Sequence, residues 1–429
     1  MATPSLVLIP SAYKVGKVAS VKPMDGKGDF TFTRNSEATR VNSIGLIETV
    51  GVDVPRIDHS DGGCPSLLLE PASTNLITYS EDFSDSYWTI TDSSIVSGSA
   101  SPNGDMSAFK LIEGTSTGTH LVFNTSNVTV LNSTRYTSFI YAKKGDNNWI
   151  ALAEGTSTTA TAYFDLLNGV VGNVIGTGSP TANIESLSGG WYKCSISYTT
   201  VSTSIRLRVY ASKDGTTVSY AGDGASYIYI WGAQLEQNSH ATSYIPTNGT
   251  TVTRAAEVCS GAGDATTFNS EEGVLFVDIN PLDTGNFKGI GIGQVTGDSL
   301  WIYVTGVNEI SAQIRIGGAT QFYLIDSKIV SDFTKVAFKW ALNDFSLWVN
   351  GVEEASSIVG SLLPLGTLQS LQLHVPGASN NFYGKVKQLQ VFKTALTDTE
   401  LQTLTSPSST SSTSGASSYS ADYSSDYGF

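Results

Sequence analysis

One aromatic residue beside a turn has the make-up of a sugar-binding surface. Trp149 directly follows Asp146, Asn147 and Asn148. Sugar rings present flat C–H faces that suit an aromatic platform, while Asp and Asn side chains hydrogen-bond to the hydroxyl groups. The same pattern also fits a core tryptophan at the start of a strand, and both interpretations stay open. These four residues form the first candidate carbohydrate-binding site.

Two groups of polar residues nearer the C-terminus could line the rim of a similar site. Asn343 and Asp344 lie at the tip of a predicted hairpin. Asn380 and Asn381 closely precede Tyr383 and again combine amide groups with an aromatic ring. Both groups are therefore further candidates for carbohydrate binding.

Residues for catalysis follow no recognisable pattern. No Glu-x-Asp spacing occurs, so no strand supplies the two carboxylates of a glycosidase in that form. Carboxylates from distant loops, for example Asp278 and Asp298, could still converge. The four histidines share no metal-ligand spacing: His59, His120, His240 and His374. Oxygen-rich loops could hold Ca²⁺, but no Ca²⁺-loop spacing is present. We therefore expect no enzymatic activity, no cofactor and no metal site.

Composition favours a β-rich protein with several domains. Of the 429 residues 40% are hydrophobic and only 14% are charged, and 42 are glycine. The net charge of −14 argues against nucleic acid as a partner, and no apolar run approaches the length of a membrane span. Three cysteines without metal-site spacing (Cys64, Cys194 and Cys259) supply no disulfide framework.

Short strands between turn residues predict two sandwiches. The first set includes Ala108–Glu113, Leu121–Asn124, Trp149–Glu154 and Ser204–Ala211, in the manner of a jelly roll over residues 72–255. A second set of strands occupies residues 256–404. Residues 405–429 form a flexible tail rich in Ser, Thr and Tyr, because they cannot bury enough apolar surface to become ordered alone.

Two local structures are predicted within the second sandwich. Thr397 and Glu400 have the spacing of a capping box, which begins a short helix. Trp340 and Trp348 are expected to face each other across a hairpin centred on Asp344.

The N-terminal 71 residues are too irregular to form a core of their own. Glycines and prolines interrupt the segment every few residues, and only brief apolar pieces such as Leu67–Leu69 lie between them. A segment of this kind is expected to lie against a neighbouring domain or subunit. We interpret residues 1–71 as an arm and a module for attachment and oligomerisation.

Several blocks in this segment resemble the opening module of bacteriophage virion fibre and adhesin proteins. They are Thr33-Arg34-Asn35-Ser36, Ala38-Thr39-Arg40, Gly45-Leu46-Ile47-Glu48, Pro55-Arg56-Ile57-Asp58, Leu68-Leu69-Glu70 and Thr74-Asn75-Leu76. Farther along, Ile230–Glu236, Thr242–Thr247 and Val252–Ala256 are similar to the closing block of carbohydrate-binding-like jelly rolls in phage proteins. Trp348-Val349-Asn350-Gly351 and Ala395–Leu401 resemble the concanavalin A-like, laminin-G-type lectin sandwich.

The resemblance implies an all-β fold of two antiparallel β-sandwiches in series, a jelly roll and then a concanavalin A-like sandwich, after an irregular N-terminal attachment segment. It also implies a virion structural protein assembled in the host cytoplasm. Its expected partners are further copies in a homo-oligomer, most simply a trimer, other virion proteins at the N-terminal region, and host surface glycan, but neither nucleic acid nor an inserted membrane. A purely structural head or tail fibre is the alternative, and a glycan depolymerase is a more distant one.

Overall fold

The computed structural model describes residues 2–155, 159–282, 288–293, 297–304, 309–326, 333–374 and 381–407. These residues are organised mainly as antiparallel sheets, so the predicted all-β class with sandwich architecture is confirmed. The α-helix is Asp398–Thr405, and a 3₁₀ turn covers Ser188–Gly190. Within the described ranges no helix is long and apolar enough to cross a membrane.

Two large sheets enclose the core of the C-terminal sandwich. The eight-stranded sheet contains, in spatial order, Val352–Ser357, Phe345–Val349, Thr334–Trp340, Gly273–Pro281, Gly384–Phe392, Ser66–Leu69 and Arg56–Asp58, and Leu6–Leu8 also pairs with Gly384–Phe392. The nine-stranded sheet contains Tyr13–Lys14, Lys17–Val18, Phe30–Thr33, Val258–Ala262, Leu371–Gln372, Lys288–Gly293, Ser299–Val304, Ile310–Ile316 and Ala319–Asp326.

Two six-stranded sheets form the jelly roll. One contains Trp88–Thr91, Leu121–Asn124, Leu207–Ser212, Trp149–Glu154, Thr161–Asp165 and Val170–Ile175. The other contains Ser93–Ser99, Ala108–Glu113, Tyr227–Glu236, Arg135–Lys144, Trp191–Thr199 and Thr181–Ser186. Four two-stranded pairs complete the pattern: Thr117–Thr119 with Ser219–Ala221, Val128–Thr129 with Ser204–Ile205, Ser73–Asn75 with Val252–Arg254, and Ala38–Val41 with Ile47–Val50.

The N-terminal segment supplies strands to both sheets of the C-terminal sandwich. Leu8, Phe32 and Leu67 are fully buried in the same core as Leu275 and Ile290. Strand pairing therefore continues between residues 6–69 and 258–392, and the jelly roll lies between them in sequence. The role of residues 1–71 in attachment and oligomerisation stays a prediction. Of the predicted tail, residues 408–429 lie outside the described residues.

The hairpin of Ala38–Val41 and Ile47–Val50 connects the N-terminal segment to the jelly roll. Ile47 packs in a small buried cluster with Tyr141 and Trp231 of the jelly roll. Its N–H donates to the carbonyl of Pro102 at 3.0 Å. At the tip, Gly45 has a φ of +80°, and a Cβ atom there would lie 2.7 Å from Cβ of Ser188. Glycine at this position therefore permits both the turn and the close approach.

One predicted local structure is confirmed and the other is wrong. Thr397 caps the helix, and the side chain of Glu400 accepts a hydrogen bond from the Thr397 N–H. Trp340 and Trp348, in contrast, point to opposite faces of their sheet, because the hairpin has a two-residue turn and its register places Trp348 opposite Ala337. Trp340 belongs to the main core, and Trp348 packs beneath the helix.

A buried ionic cluster connects the segments that precede and follow the jelly roll. Arg34, Arg56 and Arg254 surround the carboxylates of Glu70 and Glu257, and each of these side chains is at most 2% exposed. Arg34 Nη1 lies 2.9 Å from Glu257 Oε1, and Arg56 Nη1 lies 2.7 Å from Glu70 Oε2. Arg254 donates a short hydrogen bond to Glu70 as well. Four of the five residues belong to the sequence blocks quoted for the opening module and the closing block, and Glu257 follows directly.

The charges in this cluster stabilise one another. Burial alone would raise the pKa of Glu70, but the adjacent guanidinium groups of Arg254 and Arg56 hold it well below its ordinary value. Burial would likewise lower the pKa of Arg56, and Glu257 and Glu70 hold it above its ordinary value. The pKa of Arg34 is lowered, because burial outweighs the attraction of Glu257. Each charged side chain of the cluster is therefore stable in the interior only while its oppositely charged partners are present.

We expect Arg56→Met to destabilise the fold strongly, because it leaves Glu70 and Glu257 buried with less compensation. The free energy of unfolding in a urea titration should fall by about 3–5 kcal/mol. Lys27→Met is the matched control, since Lys27 and Asp264 form an exposed pair at 3.4 Å. It should cost less than about 1 kcal/mol. Equal losses in the two variants would contradict a structural role for the cluster.

Stability should also depend on pH through Glu70. Because its folded pKa is lower than its unfolded one, near 4.5, the stabilisation is present above about pH 4.5 and is lost as the pH falls. In Glu70→Gln the loss of unfolding free energy between neutral and acidic pH should be smaller than in the parent protein. Glu37→Gln, at an exposed position of the same segment, should retain the parent pH dependence. An unchanged slope in Glu70→Gln would contradict this assignment.

Candidate functional site

The turn at residues 145–148 connects the two sheets of the jelly roll at one end of the sandwich. It follows Arg135–Lys144 and precedes Trp149–Glu154. Asp146 is exposed, whereas Asn147 is buried and donates from Nδ2 to Glu113 Oε2 at 2.8 Å. Asn148 is half-buried, and its Oδ1 accepts a long hydrogen bond of 3.5 Å from Lys144 Nζ. Asp146 and Asn148 are thus accessible to a ligand, while Asn147 supports the turn.

Trp149 lies on the outer face of its sheet, away from the main core. Its side chain is half-buried and packs at the edge of a small outer cluster that includes Tyr163 and Tyr210. A Cβ atom on Gly172 would lie 2.6 Å from the indole, and one on Gly215 would lie 3.0 Å from it. The indole therefore sits between two glycines, which leave room for its flat ring, and it stays partly open to solvent.

The outer cluster is held by the loop at residues 213–218. The hydroxyl of Tyr163 donates to the carbonyl of Thr216 at 2.8 Å, and Val218 packs against the cluster. Burial raises the pKa of Tyr163. Arg206, just before the strand Leu207–Ser212, lies over the ring of Phe123, with the guanidinium carbon 5.1 Å from the ring centroid. This face combines aromatic rings with polar groups, as the sequence predicts for a sugar-binding surface around Trp149.

The candidates in the C-terminal sandwich do not join this site. Asn343 and Asp344 are exposed at the hairpin tip, where Asp344 Oδ1 forms an ion pair with Lys339 Nζ at 2.7 Å. Asn381 Nδ2 donates to the hydroxyl of Tyr383 at 3.0 Å beside the other sheet. Asn380 lies outside the described residues. The sequence candidates thus occupy three separate places.

A cleft of about 430 Å³ opens between the hairpin, the jelly roll and the C-terminal sandwich. Lys385 Nζ on its wall lies 2.7 Å from Asp61 Oδ1 and 3.7 Å from Asp58 Oδ1. Burial would lower the pKa of Lys385, but these two carboxylates raise it above its ordinary value. Lys193 on the jelly-roll wall donates to the carbonyl of Thr242 at 2.9 Å. The lysines on both walls therefore already have partners within the chain.

A further group of residues, which was not predicted from the sequence, lies on the second jelly-roll sheet. Tyr227 and Tyr229 are half-buried on its outer face, with Lys110 and Lys143 beside them. The signal was the alternation of aromatic and aliphatic residues from Tyr227 to Trp231, which places all three aromatic rings on one face of the strand. Elsewhere among the described residues no group of three or more His, Cys, Asp or Glu side chains could hold a metal ion.

A comparison with known protein families identifies a domain in the C-terminal part of the chain. Residues 276–402 match the family model described as the concanavalin A-like lectin/glucanases superfamily, of laminin G type. No curated protein matches the chain in sequence.

Two solved structures have low TM-scores against this chain. The carbohydrate-binding module CBM40 of the Ruminococcus gnavus IT-sialidase, bound to α2,3-sialyllactose, has a TM-score of 0.30 and 19% identity, covering 34% of this chain and 87% of the module. Domain 4 of the arabinanase AbnA from Geobacillus stearothermophilus, in complex with arabinotriose, has a TM-score of 0.28 and 16% identity, covering 39% of this chain and 83% of that domain. The family match alone assigns a concanavalin A-like lectin/glucanase domain of laminin G type to residues 276–402.

Proposed function

We propose that the protein is a bacteriophage virion fibre or adhesin that binds host surface carbohydrate reversibly. The observation that carries the proposal is the half-exposed indole of Trp149 on the outer face of the jelly roll, next to the accessible side chains of Asp146 and Asn148. A flat ring beside hydrogen-bonding groups suits the C–H face and the hydroxyl groups of a sugar. The lectin-type domain at residues 276–402 supports the same class of ligand.

Binding at such a site is shallow and weak for a single copy. We propose that the protein forms a homo-oligomer, most simply a trimer, and contacts other virion proteins through its N-terminal region. Several copies on one fibre would raise avidity by about 10²–10⁴ without any new contact. Reversible attachment without cleavage of the polysaccharide is the mode of action that this arrangement serves.

A purely structural fibre is the second candidate, and one observation favours it. Several residues of the blocks that resemble the phage opening module have a structural role, since Arg34, Arg56 and Glu70 belong to the buried ionic cluster. Lectin-like sandwiches can be used for packing alone. A glycan array on the recombinant protein separates the two proposals, because the structural fibre binds no glycan.

Trp149→Ala should weaken adsorption of virions and binding of the protein to host polysaccharide. Its melting temperature should fall only slightly, because the side chain lies at the edge of the outer cluster and outside the main core. Trp149→Phe should retain part of the binding, since it keeps a flat ring. Tyr323→Ala, which removes an aromatic ring that is 41% exposed on the C-terminal sandwich, is the matched control and should bind normally.

Two results would contradict the proposed site. Unfolding of Trp149→Ala at ambient temperature would make Trp149 a structural residue. Normal adsorption of folded Trp149→Ala virions would remove it from the binding surface. Release of reducing ends from host polysaccharide by the parent protein would instead support the depolymerase alternative.

A further inference from the structure

Two tyrosines on the outer face of the second jelly-roll sheet lie between two lysines. Tyr229 is paired with Lys110 on one neighbouring strand and with Lys143 on the other. Lys110 Nζ lies 4.1 Å from the centroid of the Tyr227 ring and 5.7 Å from that of Tyr229. Lys143 Nζ lies 5.9 Å from the Tyr229 centroid on the other side. The register of three adjacent strands thus positions both ammonium groups around one ring.

Among the described residues, no carboxylate lies within ion-pair distance of the lysines of this tyrosine–lysine patch (Lys110, Lys143, Tyr227 and Tyr229). By contrast, Lys339 and Lys385 each have two carboxylate partners. Two like charges held near one ring repel each other, and an anion between them would relieve that repulsion. In a chain of net charge −14, such a patch is a local concentration of positive charge.

The two tyrosines add aromatic rings and hydroxyl groups to the patch. Their rings lie 5.2 Å apart at 84°, so the two present a ring face and a ring edge side by side. Their hydroxyl oxygens are 3.4 Å apart and can both donate and accept hydrogen bonds. The patch also adjoins the turn at residues 145–148, because the backbone N–H of Asn147 donates to the carbonyl of Tyr227 at 3.1 Å.

We propose that the tyrosine–lysine patch (Lys110, Lys143, Tyr227 and Tyr229) binds an anionic sugar. The ring of the sugar packs against the tyrosines, and its carboxylate or phosphate lies between the two ammonium groups. This inference rests on the proposed carbohydrate binding, but it names a second surface on the opposite sheet from Trp149 and a charged class of ligand. The charge-assisted contacts make the acidic residue of a host polysaccharide the preferred unit.

The test is isothermal titration of the full chain with three probes. Trigalacturonate supplies carboxylates, mannose 6-phosphate supplies a phosphate, and maltotriose is neutral. We expect at least one anionic probe to bind more tightly than maltotriose, and the stronger of the two identifies the anion. Its affinity should fall as NaCl rises from about 0.01 M to about 0.15 M, because the Debye length shortens from about 30 Å to about 8 Å.

Variants then place the binding on the patch. The double variant Lys110→Met and Lys143→Met should bind the anionic probe about tenfold more weakly, while Lys110→Arg with Lys143→Arg should keep the affinity because the charge remains. Lys387→Met is the matched control, since Lys387 also lies over an aromatic ring, at 3.5 Å from the Phe333 centroid, but on the C-terminal sandwich. Its affinity for the probe should be unchanged.

Equal affinity for the anionic and neutral probes would overturn the inference, as would unchanged binding by a folded double-methionine variant or no binding of either anionic probe. Circular dichroism checks that the variants fold, and the arginine pair still tests the charge should the methionine pair not fold: loss of binding in a folded arginine pair would also count against it. Glycan binding that depends on Trp149 but not on these lysines would leave the proposed function standing and remove only the charged site.

Discussion

The buried cluster of three arginines and two glutamates is the interaction on which the rest of the architecture depends. Its members come from before the jelly roll (Arg34, Arg56 and Glu70) and from after it (Arg254 and Glu257). Charges in a poorly solvated interior cost several kcal/mol each unless their partners are correctly placed. Misplacing any one segment would leave a charge unpaired. Geometry as well as stability is therefore specified at this point, where hydrophobic packing alone would tolerate alternatives.

Strand pairing with the C-terminal half explains how an irregular N-terminal segment becomes ordered. The segment forms only short strands, which could not be stable in isolation. Paired with Gly384–Phe392 and Val258–Ala262, however, those strands bury Leu8, Phe32 and Leu67 in a core supplied largely by the C-terminal half. The hairpin then packs against the jelly roll through Ile47, which lies beside its turn. The jelly roll is consequently held in a defined position on the sandwich.

Local features of the fold could be predicted from the sequence, but long-range pairing could not. Strand bounds such as Trp149–Glu154 and the Thr397–Glu400 capping box depend on neighbouring residues, and both are found as predicted. The pairing of Leu6–Leu8 with residues near 390 leaves no local pattern. The Trp340 and Trp348 pair failed because the parity of a hairpin register depends on the length of its turn.

In the candidate site, too, local features could be predicted from the sequence and long-range contacts could not. Residue types pointed to Trp149 and its neighbouring turn, because composition is visible in one stretch of sequence. The tyrosine–lysine patch could not be predicted, because Lys110, Lys143 and Tyr229 are far apart in the chain and come together only through the register of their strands. The ion pairs could not be predicted either, since Asp344 becomes a partner of Lys339 only when the hairpin forms.

The pairing of Leu6–Leu8 with Gly384–Phe392 determines how the molecule carries tension. Leu6 lies opposite Val391, so a pull applied to the chain before the first of these strands and after the second meets at one end of a single ladder. The mechanical path runs through this ladder and bypasses residues 72–255, whose two ends are joined by the antiparallel pair Ser73–Asn75 and Val252–Arg254. The jelly roll thus remains unloaded while that ladder is closed.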